Sequence, residues 1–224
     1  DQYQTDPVPD GKPAPVEPDD AVVDTGTQLT CTISISCATI LDNWDKCADS
    51  KKPLVPDDGV LLPATGVTFS QGESVYDVLQ RVCRENKIHM ESSFTPVYNS
   101  AYIEGIGNLY EFDVGSGSGW MYAVNGWYPN YGCSRYVLQD GDTVEWVYTC
   151  DLGQDVGGGF TGCVRRRLHA DGGPAVNMGR QGNRKGRRRT PPDGRPPPAT
   201  KKASIRKDGC FLLYSVRRGV RSPW

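Results

Sequence analysis

Six large aromatic side chains, Trp120, Tyr122, Trp127, Tyr128, Tyr131 and Tyr136, fall within 17 residues of this chain. Rings with a polar tip give wide contact area at small conformational cost, so their crowding around a turn is the chemistry of binding, not of bond-making. The same rings would also serve as cross-strand pairs that stiffen a hairpin. Alternation along a strand puts Trp120 and Tyr122 on one face, and one face of a sheet has to be core. These six residues form the candidate ligand-binding set. Trp127, Tyr128 and Tyr131 stay open between surface contact and packing.

Groups suited to catalysis are sparse. Cys83 and His89 invite a thiol–imidazole pair, but Cys83 falls on the apolar stripe of a helix, where a small buried hydrophobe is expected. Ser116 lies in Gly115-Ser-Gly-Ser-Gly119, which lacks the frame of a nucleophile turn and the helix that would follow it. Asp57-Asp58 and Asp140-Gly-Asp142 could offer oxygens to calcium, yet no EF-hand spacing follows and both fit turns. The expectation is a chain that is not an enzyme, with no catalytic residue, no metal ligand and no required cofactor.

Eight cysteines are many for 224 residues. Zinc would need ligands at short spacing, whereas Cys31 and Cys37 are six apart, no Cys-x-x-Cys exists, and only His89 and His169 could assist. Scattered cysteines at strand ends fit disulfides in an oxidising compartment, and hence an extracellular or cell-surface protein. Free thiols and metal binding are the alternatives. Eight cysteines allow about 105 full pairings, so spacing does not select one.

The elements that must hold these groups are short. Leu29 to Cys37 alternates apolar and polar residues and reads as a half-buried strand, with Val67-Thr-Phe69 a short second one. Ser74 and Asp77 make a capping box, after which Val75, Val78, Leu79, Val82 and Cys83 form one apolar helical stripe ending near Asn86-Lys87. Ile88 to Tyr98 and Ala101 to Ile106 are β-like. Trp120 to Val124 is a strand, Asn125-Gly126 a hairpin turn with Trp127 and Tyr128 starting the return arm, and Thr143 to Cys150 the last alternating strand. One helix among five or six strands, with no βαβ rhythm, is α+β.

The ends differ from this middle. Residues 1–28 hold five prolines and seven acids against one lysine, the composition of an extended acidic leader or linker that cannot bury enough surface to fold. The near-neutral total of −2 hides a split. Residues 1–156 carry 24 acids and 8 bases, while residues 157–224 carry 17 bases and 3 acids. That basic tail, rich in Gly, Pro and Arg, is expected to be disordered. It would attract polyanions without reading a nucleic-acid sequence. Its abrupt onset after Gly157-Gly-Gly159 equally matches an out-of-frame reading of a GC-rich gene. No run of 18 apolar residues occurs, so no spanning helix is expected. The first residue is Asp1, which fits a removed signal peptide or an excerpt.

Four spaced motifs, Gly72-Glu-Ser-Val-Tyr-Asp-Val-Leu79, Ser118-Gly-Trp-Met-Tyr122, Asn125-Gly-Trp127 and Asp140-Gly-Asp-Thr-Val144, occur in an order that resembles the transcobalamin-like C-terminal domain. Tyr98 to Ile106 and Asn130 to Tyr136 look like its bacterial surface-protein branch, and the likeness covers residues 29–156. The resemblance implies a small mixed sheet packed on one helix, close to a β-grasp, with the first and last strands central and parallel. It implies a bridge between Cys37 and Cys150, while Cys31, Cys47 and Cys133 are the further disulfide candidates. Members of that branch often carry a cysteine where this chain has Val114, paired with the position of Cys133, so Cys133 lacks its usual partner. In the vertebrate carriers this domain covers one side of a corrinoid against a helical barrel, and nothing here resembles the barrel. The reading is an extracellular, non-catalytic, monomeric binding module for a small molecule, with cobalamin or a related corrinoid as one ligand, or for a cell-envelope component. The alternatives are a structural spacer or adhesion module and a polyanion-binding tail.

Overall fold

Pairing with a neighbouring strand carries the first strand further towards the N-terminus than the apolar pattern predicts. In the computed structural model, which describes Tyr3 and residues 7–158, β1 runs Asp24–Ser36 and buries Cys31, Ile33 and Ile35 on one face. Its partner β2 (Val60–Gln71) is four times the length expected from Val67 to Phe69. Pro63 and Gly66 hide the rest of β2 from a pattern reading, and the pairing with β1 shifts register between Ile33 and Ser36. An edge strand tolerates both features, because one side of its backbone needs no ladder.

The helix α1 (Val75–Glu85) begins where the capping box places it. Ser74 accepts from the Asp77 amide, and the Asp77 carboxylate accepts in turn from the Ser74 backbone N–H. Its stripe of Val75, Val78, Leu79, Val82 and Cys83 is buried. Three strands follow, β3 (Met90–Thr95), β4 (Ser100–Ile106) and the two-residue β5 (Leu109–Tyr110), ordered β3-β4-β5 in a separate antiparallel sheet. β6 (Gly119–Val124) and β7 (Thr143–Thr149) complete a four-stranded mixed sheet of order β2-β1-β7-β6. β1 and β7 are central and parallel, paired from Thr32 with Thr143 to Ser36 with Val147. The architecture is α+β, with two small sheets and one α-helix among the described residues.

Asn125 and Gly126 sit at φ 51° and 73°, and Val124 and Trp127 exchange backbone hydrogen bonds of 2.8 and 3.0 Å across them. The turn is as expected, but the return arm is not a strand. Beyond Trp127 the ladder stops, and β7 from Thr143 onwards takes the place beside β6. Pro129 has no amide proton to continue the ladder.

Two apolar clusters form the interior. The larger joins the α1 stripe to β1, Ile103 and Ile106 of β4, Tyr122, Val124, Val144 and Trp146. The smaller gathers Cys37, Ile40, Cys47, Leu109, Val114, Tyr148 and Cys150. All six described cysteines are buried free thiols, which departs from the disulfides expected among Cys31, Cys37, Cys47, Cys133 and Cys150. Cys37, Cys47 and Cys150 nevertheless share the smaller cluster. Val114 and Cys133 lie in different clusters.

The acidic leader also departs from expectation. Residues 7–23 are laid across the domain: Val16 N–H donates to the Arg135 carbonyl at 2.9 Å, and Val8 packs on the larger cluster. Proline prevents a ladder, yet its carbonyl still accepts, so side-chain donors can hold such a segment where strands cannot. The chain divides into units of residues 1–160 and 161–224. The basic tail, with its expected disorder, its polyanion reading and its out-of-frame reading, lies outside the described residues.

Candidate functional site

The six aromatic candidates do not form one open face. Tyr122, Tyr131 and Tyr136 are buried, at 9%, 7% and 3% exposure, and Trp120, Trp127 and Tyr128 are half-buried. Five rings make a relay from interior to surface. Tyr122 lies 5.5 Å from Trp146 and 6.3 Å from Tyr136, Tyr136 stacks on Tyr131 at 6.1 Å, and Tyr131 meets Trp127 edge-on at 6.0 Å. The Tyr122 hydroxyl donates to the Tyr131 carbonyl at 2.8 Å, which ties the strand to the loop after the turn. Burial raises the phenol pKa of Tyr122 and Tyr131, and that of Tyr136 to about 12, so all three stay neutral donors at physiological pH.

The remaining two face elsewhere. The Trp120 indole donates to the Leu109 carbonyl at 2.8 Å and meets Tyr148 edge-on, bridging the two clusters. Tyr128 donates to the Val156 carbonyl at 2.8 Å. Trp120 is therefore a packing residue, and only Trp127 carries the relay to the surface. There the leader meets it: Lys12 Nζ sits 5.4 Å from the Trp127 ring.

An open concavity lies beside leader residues Pro18, Ala21 and Val23. A groove of about 430 Å³ runs between the start of α1 and β3, lined by Tyr76, Asp77, Ser92, Phe94 and Ser134, with leader residue Val23 on its rim. Its hydroxyls are oriented. Tyr76 and Ser92 share a 2.8 Å hydrogen bond, Gln80 donates to Tyr76 at 2.8 Å, and Ser134 accepts from the Ala101 amide at 3.0 Å. Phe94 is 59% exposed. One open ring among fixed hydroxyls is the composition of a recognition groove. The sequence reading missed it because its residues come from the leader, α1, β3 and the loop after the hairpin. The exposed Phe94 within a Ser-rich strand was the one local signal.

Among the residues weighed for catalysis, Cys83 is buried on α1 and its thiol is pushed up to about 12 by desolvation, whereas His89 is exposed. Ser118 donates to the Gly115 carbonyl at 2.9 Å and accepts from the Val114 amide, closing the glycine turn. Asp142 accepts from Asn125 and from the Gln139 amide, and Asp58 from the Val60 amide, all turn chemistry. Among the described residues no group of three or more His, Cys, Asp or Glu is placed to hold a metal ion, and no helix is long and apolar enough to cross a membrane.

Residues 72–150, from the turn before α1 to the end of β7, match a family described as a domain of unknown function (DUF4430). No curated protein matches the chain. Among solved structures, haptocorrin in complex with Cbi is similar over 58% of this chain and 27% of its own, at 15% identity and a TM-score of 0.42. A protein of Ruminococcus gnavus described as a candidate metal-binding protein is similar over 54% of this chain and 96% of its own, at 15% identity and a TM-score of 0.32. The chain thus spans about a quarter of the haptocorrin chain it matches.

Proposed function

We propose that the domain of residues 29–156, with the leader segment laid on it, forms a non-catalytic binding module of an extracellular or cell-surface bacterial protein, and that the groove beside Phe94 is its recognition surface. The observation that carries this reading is the groove itself: about 430 Å³, within the range of small-molecule sites, walled by hydroxyls whose directions are already set. The ligand is a small molecule or an envelope component, and a corrinoid edge with its amide side chains suits hydroxyl donors around one ring. Contact on one face gives weak affinity, because less of the ligand leaves water. Calorimetric titration with cobinamide and cobalamin should give saturable binding in the high micromolar range. Phe94→Ala should weaken it at least fivefold, and Trp127→Ala should leave it unchanged. No heat up to millimolar ligand rejects the corrinoid.

A second reading, a spacer or adhesion module without a small-molecule ligand, is favoured by the burial of Tyr122, Tyr131 and Tyr136. It gains if neither corrinoids nor envelope fragments occupy the groove.

Extracellular placement rests on the cysteines. Cys37, Cys47 and Cys150 lie in one small cluster, where an external disulfide or dioxygen can take two electrons and two protons from a thiol pair and leave an S–S bond. A non-reducing peptide map of the secreted protein should show one link within this trio and a free Cys83. Three free thiols there would remove this support.

A further inference from the structure

The leader is held by the domain as a ligand is held, and the features of the contact belong to proline-rich peptide recognition. From residue 7 to residue 15 no backbone ladder joins it to the domain. The contacts include side-chain donors on carbonyls, cations on rings, a backbone bond from Val16 to the Arg135 carbonyl and a carboxylate clamp. The Tyr131 hydroxyl donates to the Pro13 carbonyl at 2.7 Å, and Asn130 Nδ2 to the Pro7 carbonyl at 3.4 Å. Lys12 lies over Trp127. Glu17 is gripped at both oxygens, by Arg135 Nη2 at 2.6 Å and by Asn99 Nδ2 at 2.7 Å. Pro13 and Pro15 are half-buried, whereas Lys12 and the intervening Ala14 are exposed. An extended proline segment shows its carbonyls and rings without internal hydrogen bonds, so aromatic walls with hydroxyl or indole donors bind it at low ordering cost.

We propose that Trp127, Tyr131, Arg135 and Asn99 form a recognition groove for an extended peptide of the type Lys-Pro-x-Pro-x-Glu, and that Lys12 to Glu17 of this chain is its resident occupant. The five steps from Lys12 to Glu17 span about 15 Å in the proline helix, so the cation and the carboxylate reach opposite ends of the groove together. Arg135 is the reason for reading this as specific: beneath the leader its guanidinium is 1% exposed, with the Glu17 carboxylate on Nη2 and the Tyr3 ring 5.5 Å away. The groove is separate from the one beside Phe94, and the proposal does not depend on what that groove binds.

The test uses the full chain and a fluorescent peptide of residues 7–20. In the Glu17→Ala chain the resident segment loses its clamp, and the peptide should bind in trans with a Kd in the tens of micromolar. The wild-type chain should bind it at least tenfold more weakly, because the tethered copy competes at an effective concentration in the millimolar range. The same peptide with Glu17→Gln should lose at least fivefold in affinity for the Glu17→Ala chain. Should that chain fail to fold, millimolar peptide carrying Lys12→Leu, added to wild-type protein, should still shift the Trp127 indole N–H resonance, because the cation leaves the ring, and leave that of Trp146 in place. The proposal is overturned if a folded Glu17→Ala chain does not bind, if wild type binds equally well, or if the indole signal does not move.

Discussion

Raising the pH from 9 to 11 under reducing conditions is expected to strip this domain of most of its stability. Burial pushes the thiol of Cys31 up to about 11 and those of Cys37, Cys83 and Cys133 up to about 12, from an ordinary 9.0. In each case desolvation is the largest cause, so the folded state holds its protons where the unfolded chain releases them. The stabilisation from neutral burial is complete below pH 9 and is lost as the pH climbs towards the folded values. Each group steepens the decline by about 1.4 kcal/mol per pH unit, and four together by on the order of 5 kcal/mol. Domain stabilities are about 5–15 kcal/mol, so the collapse belongs between about pH 10 and 12. Denaturant melts at pH 7.5, 9, 10 and 10.5 check this. A midpoint unchanged to pH 10.5 would mean that these thiols do not ionise in the unfolded chain or are not buried in the folded one. Oxidation separates the cases, since a cross-linked pair within the Cys37 cluster removes titrating groups and moves the alkaline limit upward.

The Gly72→Ala variant should be the most damaging small substitution at the junction of leader, β2 and α1. Gly72 has φ +95°, and a Cβ there would stand 2.1 Å from the Val22 carbonyl oxygen. The added methyl meets backbone on one side and forces an unfavourable dihedral on the other, costing together about 2–4 kcal/mol. For a domain of this size that is a fall of about 6–12 °C in Tm. Gly66, with no atom within 4 Å of its Cβ position, provides the control, and Gly66→Ala should move Tm by less than 2 °C on the same scale. Because Val22 must retreat, Gly72→Ala should also raise hydrogen exchange through residues 12–23 while α1 stays protected. Equal Tm values for the two variants would show that the leader does not press on Gly72.

The contact of the leader with Trp127 changes what the aromatic hairpin can do. A ligand approaching Trp127 meets a lysine and a proline segment first, so the ring-rich turn is an anchoring surface for this chain's own N-terminal residues. Of the loop from Pro129 to Tyr136, Ser134 lines the groove beside Phe94, whereas Trp127 faces the leader.

What could be known from residue order alone was local. The alternation in β1, the Ser74–Asp77 cap, the five-residue stripe of α1 and the Asn125-Gly126 turn depend on neighbours within a few positions, and each stands where the pattern put it. The central parallel pair of β1 and β7 came only through resemblance, since no short-range pattern links residues 111 apart. Which aromatic rings are sealed, which thiols share a cluster and where the leader lies were decided by tertiary packing. The physical cause is the same in all three. Burial depends on what arrives on the other side, and a proline segment clamped by Tyr131 and Arg135 through its carbonyls and a single glutamate leaves no period in its own sequence to announce it.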